Sequence, residues 1–106
     1  MRHIFSTFVL EDVTLEKVTR NLESKFLRSF KQILTEEIVK HQNKGLVSIQ
    51  VTSLSTYNRN SLIIEFVCTV NPQHNRAITI AIRRALLSEQ VTSFSYYYSL
   101  IMIIFF

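Results

Sequence analysis

The sequence predicts an α+β fold of the ferredoxin-like kind, βαββαβ, with a four-stranded antiparallel sheet and two helices on one face. Two observations carry that prediction. Between Leu46 and Val70 an apolar strand pattern breaks once, at Thr56-Tyr57-Asn58-Arg59-Asn60, and resumes at Ser61, which reads as a hairpin. On either side of the hairpin lies a stretch of helical periodicity, about Asn21 to Asn43 and Ile78 to Leu86, and beyond each stands a further strand pattern.

The first strand is Ile4, Phe5, Thr7, Phe8, Val9 and Leu10, and it ends where Glu11 and Asp12 turn the chain. Asp12-Val13-Thr14-Leu15 then makes an ordered loop or a short helical turn, anchored by Leu15 and Val18. In the first helix Leu22, Phe26, Phe30 and Ile33 form one stripe, widened by Leu27, Leu34 and Ile38, while Arg20, Ser24, Arg28, Lys31 and Thr35 face away. Asn21 or Ser24 is the candidate N-cap, and Lys40 and His41 lie in the last turn, where positive charge suits the helix dipole. Gly45, the sole glycine, reads as the left-handed residue that closes this helix. Glu37 falls inside the apolar stripe, and a carboxylate so near a helix end is expected to reach solvent or a basic neighbour.

Within the hairpin Val47, Ile49 and Val51 alternate, and Leu54 then comes one position out of phase, the mark of a bulge or of the start of the turn. Leu62, Ile64, Phe66, Cys68 and Val70 occupy every second position of the next strand and mark its core face. Asn71-Pro72-Gln73 ends that strand and leads into the second helix, which packs through Ile78, Ala81, Ile82 and Ala85, with Leu86 beside them. Arg76, Arg83, Ser88 and Glu89 lie away from that face.

From Val91 to Phe106 there is no charge. Phe94, Tyr96, Tyr98 and Leu100 alternate with Ser95, Tyr97 and Ser99, so the first half of this segment, from Val91, reads as the fourth strand. The domain is therefore residues 1–99, and residues 100–106 form an apolar C-terminal tail. Sixteen uncharged residues fall short of the roughly 17–25 that a spanning helix needs. The tail reads first as an overhang of the strand and second as the start of a truncated membrane anchor.

Composition narrows the chemistry. One glycine and one proline leave no Gly-rich phosphate loop and no Pro-rich recognition segment. Cys68 stands alone on a core face, so it reads as a buried, inert thiol without a disulfide or a zinc-binding partner. His3, His41 and His74 lack the spacing of a helical metal pair, and neither a nucleophile with a partner base nor a cofactor motif is present. The expectation is a protein that is not an enzyme and that holds no metal and no cofactor. The net charge is +4, but the twelve Lys and Arg residues are scattered, with no run longer than Arg83-Arg84, so nucleic acid is not the expected partner.

Several local stretches resemble the SEA domain, an extracellular module of membrane mucins, adhesion receptors, proteoglycans and membrane serine proteases. Phe8-Val9-Leu10-Glu11-Asp12-Val13-Thr14 is similar to that family's first strand and short turn. Ser24-Lys25-Phe26-Leu27 is similar to its helix opening, Asn60-Ser61-Leu62-Ile63-Ile64-Glu65-Phe66 to its hairpin and third strand, and Ala77 to Leu86 to its second helix. The resemblance spans about His3 to Tyr98 and rests on the order and spacing of these stretches.

In many SEA domains a Gly-Ser bond in the hairpin, followed by three apolar residues, cuts itself. Folding strains the bond, the serine hydroxyl attacks the preceding carbonyl, and water resolves the ester. Ser61 matches the serine and Leu62, Ile63 and Ile64 match the triplet, but Asn60 stands where the family has glycine. Asparagine tolerates a left-handed backbone, yet its side chain changes how the hydroxyl reaches the carbonyl. The expectation is that Asn60-Ser61 stays intact and that Ser61 simply begins a strand.

The resemblance implies a non-catalytic spacer or adhesion and interaction platform on the extracellular side of the plasma membrane. Its partners would be other domains of a longer cell-surface protein, with protein or glycan contacts and with the membrane near a flanking segment. No Asn-X-Ser/Thr sequon is present, and Met1 to Leu10 makes a poor signal peptide, so the chain is expected to be a fragment of a longer product. The alternative is an intracellular ferredoxin-like domain that binds nucleic acid or protein. Against RNA, the central strand Ser61 to Val67 has no glycine and no basic residue, and Glu65 stands in its middle. Ile63 and Val67, opposite the core face, together with Tyr97, are the expected contact residues.

Overall fold

The structure, a computed structural model, describes residues 1–11 and 23–94. In chain order the elements are strand β1 (Arg2–Glu11), helix α1 (Glu23–His41), strands β2 (Leu46–Asn58) and β3 (Ser61–Val70), a 3-10 turn (Pro72–His74), and helices α2 (Asn75–Leu87) and α3 (Glu89–Thr92). The fold is α+β. Its sheet is antiparallel with the order β1-β3-β2, so the most regular apolar strand of the sequence takes the middle place.

That central place accounts for the burial of β3. Leu62, Ile64, Phe66, Cys68 and Val70 have a strand on each side and the helices over them, and all five are buried. From α1, Phe26, Phe30, Leu34 and Ile38 meet them, and from α2, Ile78, Ala81, Ile82 and Ala85. These are the predicted packing faces. Phe30 is the junction, with its ring centroid 6.0 Å from Phe8, 6.0 Å from Phe66 and 5.9 Å from Phe94. Leu15, Val18, Asn21 and Leu22 lie outside the described residues, as does any cap contributed by the Ser24 side chain.

The phase slip at Leu54 is a β-bulge. Val51 pairs with Phe66 and Leu54 with Ile64, because β2 carries an extra residue between Val51 and Ser53. The slip turns Leu54 back to the core, and the Thr52 hydroxyl donates to the Glu65 carbonyl at 3.1 Å. Two further slips, between Leu46 and Ser48 and between Thr56 and Asn58, fall among residues whose pattern carried no sign of them. The last one corrects the predicted loop. Pairing runs on to Asn58 opposite Ser61, so the turn is Arg59-Asn60 rather than five residues. Polar residues at an exposed edge lose little by staying in the ladder, and the bulge at Tyr57 absorbs the mismatch.

A second correction concerns the segment after α2. The predicted strand begins at Val91, but Glu89–Thr92 is helical. Ser88 caps it, with its hydroxyl accepting from the Val91 N–H at 3.4 Å, and Glu89 places an acid in the first turn. That cap and dipole interaction outweigh the strand preference of Val91 and Thr92. Phe94 then packs its ring 5.4 Å from Phe26. Positions 95–100 of the predicted strand, Tyr97 and the tail at 100–106 lie outside the described residues, so among the described residues the sheet has three strands.

Gly45 is also reassigned. α1 ends at His41, with the Gln42 N–H bonded to the Ile38 carbonyl at 2.8 Å, and Gly45 comes four residues later at φ 107°. Its positive φ turns the chain into β2 instead of closing the helix.

Candidate functional site

The hairpin tip that carries Asn60 and Ser61 lies at one end of the sheet. Asn58 accepts the Asn60 N–H through Oδ1 at 3.0 Å, an Asx turn that holds the tip closed. Asn60 is exposed, whereas Ser61 is only 6% exposed because it is flanked on both sides, by Asn58 of β2 and by Glu11 of β1. Glu11 is a neighbour that the sequence alone did not reveal. Direct cross-strand partners have Cβ atoms about 4.5–5.5 Å apart, so the carboxylate and the hydroxyl share one end of the outer face. Ser61 keeps an unbroken register with β1, while on the β2 side its pair with Asn58 directly follows the bulge at Tyr57.

The outer face of the sheet is the second candidate. Ile63 and Val67 face outward as expected, and the register sets Val9 opposite Ile63 and Phe5 opposite Val67. Phe5 is 77% exposed and Val9 40%, so two cross-strand apolar pairs form a patch on the β1–β3 half. Between them Thr7 faces Glu65. The β2 half presents Ser48, Gln50, Ser53 and Ser55. Phe5 and Val9 were missed because only their odd phase relative to Ile4, Phe8 and Leu10 marks them, and that phase gains meaning once β1 is known to pair with β3. Glu65 at the centre of the patch opposes a phosphate backbone.

Of the remaining ionisable candidates, Glu37 has a structural partner and Cys68 is closed off by burial. Glu37 is buried, and its Oε1 accepts from Lys40 Nζ at 2.8 Å. That hydrogen bond and the carboxylate charge together raise the Lys40 pKa. The carboxylate inside the apolar stripe thus reaches a basic neighbour. Burial pushes the Cys68 thiol up to about 12, so it is protonated and unreactive at neutral pH. Among the described residues no three His, Cys, Asp or Glu side chains gather as metal ligands, and no helix is long and apolar enough to cross a membrane.

Comparison of the chain with protein-family models, with curated proteins and with solved structures returns no match.

Proposed function

We propose that this chain is a non-catalytic SEA-like module, a spacer and interaction platform on the extracellular face of a longer cell-surface protein. The observation that carries the reading is the hairpin: Ser61 opens the central strand directly after a two-residue turn and is followed by Leu62, Ile63 and Ile64. A hairpin between two strands of one sheet is where a self-cleaving relative would be cut and still hold together. Asn60 in the glycine position keeps this one whole.

The reading makes a direct prediction for mass spectrometry under denaturing conditions. The wild-type chain runs as one species, and Asn60→Gly yields two pieces, 1–60 and 61–106, which Ser61→Ala in the same background abolishes. Fragments from the wild type would overturn its inertness. An Asn60→Gly chain that stays whole after prolonged folding would remove the SEA-like reading.

The same reading places residues 95–100 as a fourth strand along the outer side of β1, completing a ferredoxin-like order. The two borders of the sheet support this. β2 carries three bulges, which blunt an edge, whereas β1 keeps an unbroken register with β3 from Arg2 to Glu11. A straight edge of that length is an aggregation hazard unless it is covered. Hydrogen exchange tests the assignment: the β1 amides that point away from β3 are expected to be protected nearly as well as those that point toward it. Fast exchange at those positions would leave β1 an edge strand.

A further inference from the structure

Between α1 and β2 lies a cleft of about 350 Å3, open to solvent and lined by Leu27, Arg28, Lys31, Gln50 and Val51. The volume is at the lower end of what binding clefts occupy. Its floor is apolar, because Leu27 and Val51 are half-buried and pack against the core. Its rim is cationic. Arg28 and Lys31 are exposed three residues apart on α1, and Lys25 continues the row one turn earlier. Among the described residues the ion pair present is Lys40 with Glu37, so neither rim cation is neutralised, and no acid lines the cleft.

The cleft also borders an edge strand. Among the described residues β2 pairs on its β3 side alone, and Ser48 to Val51 is a regular stretch between two bulges. An edge strand beside a helix makes a trough for an extended segment, which adds main-chain hydrogen bonds while alternate side chains turn inward. Side chains on one face of such a segment recur about every 6.6 Å, close to the ~5–6 Å between helix residues three apart. Carboxylates at alternate positions therefore reach Arg28 and Lys31 in turn, and an aliphatic residue on the same face covers Leu27 and Val51.

We propose that this cleft binds an extended acidic segment of a partner protein, which adds to the free edge of β2 and sets its carboxylates against Arg28 and Lys31. An open trough suits a peptide better than an acyl chain, which needs enclosure. The inference rests on the cleft and its charges and does not require the SEA-like reading.

The test is fluorescence anisotropy on the full chain with a labelled, acetylated peptide Glu-Thr-Glu-Thr-Val-Thr. Saturable binding that weakens as salt rises is expected. The double variant Arg28→Glu/Lys31→Glu is expected to weaken it about tenfold, since each rim contact turns from attraction to repulsion. Arg83→Glu, an exposed cation on α2, should leave it unchanged. Methylating alternate amides of the peptide removes the donors that strand addition needs and should abolish binding, and a peptide with lysine for glutamate should not bind. All these positions are exposed, so far-UV circular dichroism should not change. No binding by the acidic peptide, equal binding by the double variant, equal loss in Arg83→Glu, or full binding of the methylated peptide would overturn the proposal. Binding to phosphatidylserine vesicles without binding to the peptide would also overturn it, by assigning the cations to a lipid surface.

Discussion

Phe30→Ala is expected to lower the stability of the fold by about 3–5 kcal/mol, a large share of the whole. The ring is 1% exposed and lies among Phe8 of β1, Phe66 of β3 and Phe94 after α3, so it joins both flanks of the fold to the central strand. Removing a buried phenylalanine costs about 3–5 kcal/mol, the transfer free energy of the ring plus the cavity left behind. A domain of this size has a total stability of about 5–15 kcal/mol, so the loss is a large share of it. Urea unfolding followed by circular dichroism measures the change, with Phe5→Ala as the reference. Phe5 is an equally large ring on the outer face, and its removal should stay within about 0.5 kcal/mol. Equal losses at Phe30 and Phe5 would show that the helices do not pack on the inner face of the sheet as described.

The core was legible because its signal is local. Five alternating positions of β3 and the Ile78, Ala81, Ile82, Ala85 face of α2 can each be read within one element, and each is buried. The bulge before Leu54 was legible for the same reason, since an apolar residue out of phase reports it directly. The bulge at Tyr57 left no such trace, because neither phase of Thr56-Tyr57-Asn58 has to face the core. Helix α3 was hidden by Val91 and Thr92, whose β-branched side chains favour a strand while Ser88 and Glu89 set a helix start. The helix start won, and it also carries Val91 and Phe94 into the core, where both are buried.

The candidate sites divide along the same line. Ser61, Ile63 and Val67 could be named from the strand that contains them. Glu11 beside Ser61, and Phe5 and Val9 beside Val67 and Ile63, could not, because cross-strand register is a property of two strands. The cleft is further still from the sequence. Arg28 and Lys31 read there as a solvated helix face, and only the position of α1 over β2 turns them into the rim of a trough floored by Leu27 and Val51.

Gly45→Ala carries the second large expected effect. At φ 107° an alanine is strained by about 1–3 kcal/mol. Its Cβ would also stand 2.6 Å from the His74 Cβ and 3.0 Å from Ile78 Cγ1. The His74 Cβ is fixed to the backbone and cannot swing aside, so the 3-10 turn ahead of α2 must move. Overpacking of that kind costs a further ~1–3 kcal/mol. The movement also pulls on the Asn71 N–H, which bonds the Gly45 carbonyl at 2.8 Å and ties the start of β2 to the end of β3. The combined loss should lower the melting temperature by roughly 10–20 °C. The two causes can be separated by a double-mutant cycle with His74→Gly, which removes the opposing Cβ at a helix N-cap position where glycine is tolerated. Partial recovery is the expected result, since relief of the contact leaves the dihedral strain untouched. No recovery would show that backbone conformation alone makes glycine necessary, and that the close approach of β2 to the start of α2 contributes nothing to the choice.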